Sequence, residues 1–435
     1  MKPIKIILFL LFAFDFISVK SQEILSLGDA VTIALQNNFN VRIARNDAII
    51  DKSNNTLGNA GFLPDVVVNF GNANNINNTR QEFFSGDVRE GSNVNTTNVN
   101  ANLQLAWTVF DGMRMFVNRD RLREIESVGQ LNVQILMENT IHQVMSSYYN
   151  IEQHKKRITT ILKAIEISKE RRELAQLKLN VGSGSSIPVL QAEVDINSDS
   201  TALIRQQLVL KNSKTLLNEI LGRSPETDFE ITNSVETPYR SDYQNLLTQA
   251  TARNRMMQMA DKNIRLSELN IKQWEANKYP TLDINLGYNY SRFSAEIGVL
   301  KFNQNRGLSY GLTGRWNVFS GYNNKREIQV GKLALESNKL IKEQTELSLS
   351  TEIFIVYSNY LTSRELSDLE YRNIRIAQQN LDITTEKMRI GTTDALELRQ
   401  AQLNLVDTEF RKIAADFDVI MAKLEMKRLT GELLR

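Results

Sequence analysis

Trp107-Thr108-Val109-Phe110-Asp111-Gly112 returns 209 positions later as Trp316-Asn317-Val318-Phe319-Ser320-Gly321. Two more landmarks keep that register: Val181-Gly182 against Ile390-Gly391, and Leu221-Gly222 against Thr430-Gly431. Upstream, Ala34, Asn38, Ala44 and Leu63-Pro64 match Ala250, Asn254, Ala260 and Tyr279-Pro280 at a shift of 216, so a seven-residue slippage falls between Pro64 and Trp107. Two long copies with one tolerated length change point to two equivalent structural units, and away from a catalytic domain with an appendage. The expected division is a signal peptide at 1–21, a first copy at 22–222, a linker at 223–240 and a second copy at 241–435.

Lys2 and Lys5 precede an apolar run from Ile6 to Phe14, and Val19-Lys20-Ser21 precedes Gln22 with compact residues where a signal peptidase needs them. The run is too short to cross a bilayer as a helix. Removal of residues 1–21 turns 52 basic residues into 49 and 50 acidic residues into 49, so the mature chain is neutral and carries no footprint for nucleic acid. There is no cysteine, hence no disulfide, and stability must come from packing and assembly. Nothing after the signal is apolar long enough for a spanning helix, so membrane insertion must use strands.

Each copy is expected to open with a helix of roughly 35 residues. The first starts at a capping box, Ser26 with Asp29, and the second covers about Asp242 to Lys278. Both end at a proline, which disfavours helix in the residue before it. The period then switches to two. Leu282, Ile284, Leu286, Tyr288 and Tyr290 alternate with polar or small residues, as do Leu308, Tyr310, Leu312, Trp316 and Val318. In the first copy Val99, Ala101, Leu103, Leu105, Trp107 and Val109 do the same, and Val66, Val68 and Phe70 mark a weaker strand. Four strands of about 10 to 12 residues emerge as two hairpins, the length that crosses a bilayer at a tilt. Aromatic residues sit at their ends, and the Asn-rich stretch Asn72–Asn100 and the shorter Ser294–Asn305 read as long polar loops. The alternation assigns Leu103, Leu105, Trp107, Ile284, Leu286, Leu312 and Trp316 to a lipid-facing side. Four strands cannot close a barrel, so closure requires several chains.

Met113 to Val181 contains no proline, and neither does Tyr322 to Ile390. A continuous helix of about 65 residues is on the order of 100 Å long, more than one compact domain buries. Apolar residues at three- and four-residue steps supply a seam for neighbouring helices, as in a coiled coil. Each helix turns at a glycine, Gly182 or Gly391, and returns for roughly 35 residues.

Chemistry is hard to find. His142 and His154 share a helix about 18 Å apart, too far to hold one metal. The cluster Met256-Met257-Gln258-Met259 lacks a nearby Cys or His and reads as packing. Gly182-Ser183-Gly184-Ser185-Ser186 lacks the lysine and preceding strand of a phosphate loop. No nucleophile with its base is visible, so neither an enzyme nor a cofactor is expected.

Signal peptide, duplicated strand ends, the tip sequences at 179–196 and 388–405, and the closing Leu221-Gly222 and Leu429-Thr430-Gly431 together resemble the outer-membrane efflux protein family, the TolC-like channels, over about Ser26 to Leu433. The resemblance implies a mixed α and β membrane protein whose homotrimer closes a 12-stranded β-barrel in outer-membrane lipid and continues as an α-barrel through the periplasm. It implies an export duct for efflux or type I secretion, docked through a periplasmic adaptor protein to an inner-membrane transporter of RND, ABC or similar type. Val181, Gly182, Ser185, Ile390, Gly391 and Thr392 would be the docking tips. Acidic residues six and nine positions after the second glycine often ring the mouth in this family; here they are Glu397 and Gln400, giving one acidic ring, with Asp394 as the alternative. Pro188 in the first copy and Thr393, where an arginine is common, depart from the family pattern. The competing expectations are a secreted coiled-coil scaffold or adhesin, which accounts for the helices but not the strands, and an outer-membrane enzyme, which lacks its catalytic set.

Overall fold

The computed structural model describes residues 23–232 and 242–434; the expected signal peptide and residues 233–240 of the expected linker lie outside it. The first copy runs β1 (Glu23–Leu25), α1 (Leu27–Asn37), α2 (Phe39–Asn54), α3 (Leu57–Ala60), β2 (Asp65–Glu82), β3 (Val88–Phe110), α4 (Arg114–Asn180), α5 (Ile187–Ile220) and β4 (Phe229–Ile231). The second runs α6 (Tyr243–Arg253), α7 (Arg255–Ala276), β5 (Thr281–Ala295), β6 (Phe302–Arg315), α8 (Asn323–Ile390) and α9 (Ala395–Leu429). By contact density the chain divides into two compact units. Among the described residues, one takes 23–39, 140–232 and 356–425, and the other takes 40–139, 242–355 and 426–434. Each unit draws on both sequence copies.

The long helices match their expected lengths, with 67 residues in α4 and 68 in α8, returning for 34 and 35. Both turns follow one hydrogen-bond scheme. The Gly182 and Ser183 amides donate to the Leu179 and Lys178 carbonyls at 3.0 and 2.9 Å, and those of Gly391 and Thr392 to Met388 and Lys387 at 3.3 and 2.9 Å. This is a Schellman closure, which needs a left-handed residue, and the glycines supply it with φ of 75° and 82°.

The opening helices are not continuous as expected. Each breaks at an asparagine, Asn38 or Asn254, whose ψ near 127° is extended. Asn38 Nδ2 donates to the Ile220 carbonyl at 2.9 Å and Asn254 Nδ2 to that of Leu429 at 3.1 Å, while Asn254 Oδ1 accepts from the Met256 amide and caps α7. The side chain thus satisfies carbonyls at the end of a returning helix, which compensates for the interrupted ladder. Gly222 and Gly431 close those ends with φ of 66° and 68°. A Cβ added at Gly222 would lie 2.7 Å from the Asn37 carbonyl oxygen, and one at Gly431 would lie 3.1 Å from that of Arg253. The paired Leu-Gly and Thr-Gly endings of the sequence are therefore backbone junctions.

The strands are longer than expected, 18 and 23 residues in the first hairpin and 15 and 14 in the second. The Asn-rich stretch is ladder and not loop: β2 and β3 pair almost to their ends, with one irregularity between Asn77 and Thr79, and only residues 83–87 connect them. Backbone pairing does not depend on apolar side chains, and the asparagines add their own bonds, such as Asn69 Nδ2 to Asn102 Oδ1 at 2.9 Å. The second connection shrinks to residues 296–301. At its other end β6 stops at Arg315, so Trp316 and Val318 fall outside the strand that the alternation assigned to them.

The sheet order is β2-β3-β5-β6, each neighbour antiparallel. A separate parallel pair joins β1 to β4. It is fixed to α4 by the Tyr148 hydroxyl, 2.9 Å from the Leu25 carbonyl and 2.8 Å from that of Thr232, over a core containing Ala34, Val144, Ile151, Leu217 and Phe229. Three-residue strands carry no periodicity, and the sequence gives no sign of them.

Candidate functional site

Directly paired residues of an antiparallel sheet point to the same side. The register therefore builds rows across all four strands. Val66, Leu105, Leu286 and Tyr310 make one, and Val68, Leu103, Tyr288 and Leu308 the next. Trp107, Ile284 and Leu312 make a third. Six of the seven residues expected to face lipid lie in these rows, and most of the rows' side chains are exposed. An uncovered apolar face of this width marks an interaction surface.

The opposite face is polar and bonded across strands. Asn69, Asn102 and Asn289 share one row. Asn289 Nδ2 donates to Ser309 Oγ at 3.1 Å, Asn285 Nδ2 to Thr313 Oγ1 at 3.3 Å, and Thr108 Oγ1 to Asp283 Oδ1 at 2.7 Å. β2 and β6 each have one paired side only among the described residues.

Trp107 and Trp316 have a role that spacing did not disclose. The Trp107 indole Nε1 donates to the Phe62 carbonyl at 2.9 Å, and that of Trp316 to the Lys278 carbonyl at 3.1 Å. Both acceptors sit two residues before the proline that opens a hairpin. A buried or amphipathic Trp needs one acceptor, and here it closes the foot of each hairpin on the chain that enters it. Trp316 does so from beyond the end of β6.

At the helical tips Val181, Gly182, Ser185, Ile390, Gly391 and Thr392 are all exposed. A Cβ at Gly182 or Gly391 would meet nothing within 4 Å. The tips of the two copies are tied by Lys178 Nζ, which donates to the Met388 carbonyl at 2.8 Å. Asp394 caps α9, its Oδ1 accepting from the Glu397 amide at 2.9 Å, and the Thr393 hydroxyl donates to the Glu397 carboxylate. Gln400 lies one turn on and donates to Asn404 Oδ1 at 2.9 Å. Glu397, Gln400 and Asp394 are exposed.

Behind the tips sits a charged network absent from the expected set. Arg399 reaches both Asp199 oxygens at 2.9 and 3.0 Å, and Arg171 meets Asp195. Gln402 Nε2 donates to Ser168 Oγ at 2.9 Å and to the Ala164 carbonyl at 2.7 Å. Burial pulls the Arg171 guanidinium below its ordinary value, partly countered by Asp195; burial also acts on Arg399, but Asp199 and Asp195 outweigh it and hold Arg399 above. Asp195 and Asp199, one turn apart on α5, were the available signal, but charges on long helices read by default as solvated faces.

No helix among the described residues is long and apolar enough to cross a membrane. The sequence profile of the outer membrane efflux protein family matches residues 30–223 and 246–432. The chain is 20% identical over 419 residues, 94% of its length and 86% of the relative's, to the outer membrane efflux protein BepC of Brucella suis biovar 1 (strain 1330). Its fold superimposes on the Campylobacter jejuni CmeC outer membrane channel with a TM-score of 0.77, at 14% identity, covering 93% of this chain and 85% of that one. The open-state MtrE outer membrane channel of Neisseria gonorrhoeae gives 0.72 at 16% identity, with 94% and 89% covered. A profile that spans both copies, with solved channels matching nearly the whole fold, means that the chain belongs to the outer membrane efflux protein family and resides in the outer membrane with its helical part in the periplasm.

Proposed function

We propose that three copies of this chain close one 12-stranded barrel and one helical tunnel, and that the assembly is the passive exit duct of an efflux or secretion system. The apolar face carried in register across four strands is the observation behind it. Such a face needs lipid, and two half-paired edges need further strands, since roughly eight is the smallest closed barrel. The polar face then lines water. A secreted coiled-coil scaffold has no use for this face.

The tips at Gly182 and Gly391 then meet a periplasmic adaptor protein, and an RND, ABC or similar inner-membrane transporter supplies energy and selects cargo. Exposed turns with no side chain at their apex let another backbone approach closely. Glu397, with Asp394 and Gln400 beside it, would ring the mouth. Purification from the outer-membrane fraction in detergent tests the assembly: a mass of three chains and discrete conductance steps in planar bilayers are expected. A detergent-free soluble monomer would overturn it.

A further inference from the structure

The apolar side of the sheet ends in positive charge, and only on the second hairpin. The connections between β2 and β3 and between β5 and β6 lie at the strand ends away from the helices, so with the helical part in the periplasm they face outward. Toward that end, the rows of the apolar side carry Leu286 with Tyr310, then Tyr288 with Leu308, then Tyr290 with Arg306, and then Arg292 with Gln304. The residues that β2 and β3 add to the last two rows, Phe70, Ala101, Asn72 and Val99, are uncharged.

Height along the strand places these arginines. Arg292 lies ten positions beyond Leu282, where the apolar side of β5 begins. At about 3.4 Å per residue and a tilt of about 40°, that stretch rises about 26 Å, and the apolar band of an outer-membrane barrel is about 25 Å tall. The two guanidiniums therefore stand at the outer headgroup level, just past the aromatic residues that mark its girdle. A cation on the lipid side is tolerated there and costly below it.

Both arginines are exposed. Neither has a carboxylate within ion-pair distance among the described residues, unlike Arg80 of the first hairpin, which meets Glu90 at 2.8 Å. The Arg292 guanidinium lies 5.4 Å from the ring centre of Phe302, which stands one row further on the same side. Arg292 and Arg306 are diagonal neighbours on adjacent strands, roughly 7 to 8 Å apart at the backbone, so both forks reach a single phosphate between them.

We propose that Arg292 and Arg306 bind the phosphate of a phosphorylated glycolipid in the outer leaflet, with Tyr290 and Phe302 flanking its headgroup. A free phosphate would meet the same two forks but not the apolar rows beneath them; an anionic lipid meets both. Arginine suits the role because its planar fork stays charged and pairs with phosphate through two parallel hydrogen bonds. The inference rests on the lipid-facing reading of this side of the sheet and adds the class of lipid that it recognises.

Diphosphorylated lipid A is the probe, added to the purified protein in detergent, with bound lipid counted by native mass and affinity read by titration. One lipid per chain is expected in the wild type, with binding about tenfold weaker in Arg292→Gln with Arg306→Gln. Lys332→Gln with Lys339→Gln removes the same charge from α8 and is expected to bind as the wild type does. Lipid A stripped of its phosphates is expected to bind wild type and double variant equally weakly. Arg306 makes no ion pair or ring contact among the described residues, so Arg306→Gln alone, expected to lose part of the affinity, keeps the test decisive if the double variant does not assemble. Unchanged affinity in variants of normal assembled mass would overturn the site and leave the duct standing. Inorganic phosphate that displaces the lipid at equal concentration would make this a general anion site and overturn the lipid assignment. A detergent-free soluble monomer removes the duct and the site together.

Discussion

The side-chain amide of Asn254 donates to the Leu429 carbonyl, 175 positions ahead in the chain, at 3.1 Å. The same side chain caps α7, and the Gly431 backbone closes over the Arg253 carbonyl beside it. Asn254→Ala removes a cap and leaves a buried carbonyl without its donor, at a cost of about 2 kcal/mol. Thermal unfolding in detergent is the measurement. Asn254→Asp, which caps but cannot donate to the carbonyl, is expected to recover only part of the loss; full recovery would assign the whole effect to capping.

Trp107→Phe and Trp316→Phe keep an aromatic ring at each hairpin foot and delete the indole donor to the Phe62 or Lys278 carbonyl. Each is expected to lower stability by about 1 kcal/mol. The resistance of the folded protein to heat in SDS compares the two directly. If either variant matches the wild type, the ring rather than the hydrogen bond holds that foot.

His154 lies on α4 with Nδ1 2.9 Å from Gln206 Nε2, a contact in which the neutral ring accepts. Burial, helped by the nearby Arg157 charge, lowers its pKa from the ordinary value of about 6.5. A depressed histidine pKa contributes stability that is present above the unfolded value and lost as pH falls through the folded one. The melting temperature should therefore decline more steeply below about pH 6.5 in the wild type than in His154→Asn, which does not titrate. Parallel slopes would remove His154 as the cause.

Leu286 and Asn285 are neighbours on opposite faces of β5. If the apolar face meets lipid, Leu286→Arg costs about 2 to 4 kcal/mol near the midplane, and Asn285→Arg far less. Comparing the assembled fraction of the two variants recovered from outer membranes decides it. Equal losses would count against a lipid-facing role for the Leu286 row.

Three Glu397 carboxylates around one axis would favour cations at the mouth. Single-channel recordings should show cation preference and block by polyvalent cations from the periplasmic side, with the block lost in Glu397→Gln. Identical block in both proteins would leave Asp394 or an uncharged ring at the mouth.

The long helices were legible because 67 and 68 residues without proline leave the period uninterrupted, and each ends at a glycine. The four strands were visible through alternation at Leu103, Leu105, Ile284 and Leu286. Their extent was not, because asparagines keep the ladder going with no apolar signal. The break at Asn38 has no proline or glycine to mark it, and its reason is a carbonyl 182 positions away. In the same way the network of Arg399 with Asp199 spans 200 positions, a distance over which no local pattern speaks. The match of Asn38 to Asn254 between copies was on view, but a shared residue does not say what it does.

The Asn-rich reach of β2 has a consequence for how the protein is made. An edge strand of 18 residues with one unpaired side among the described residues, nearly free of charge over much of its length, is the kind of template on which identical chains stack in register. Asparagine ladders add to such stacking. If the barrel closes from several chains as proposed, the chain carries its own aggregation seed until a partner strand covers this edge. Its yield is then expected to follow the speed of assembly, with misassembled protein accumulating first where holdase chaperones are scarce.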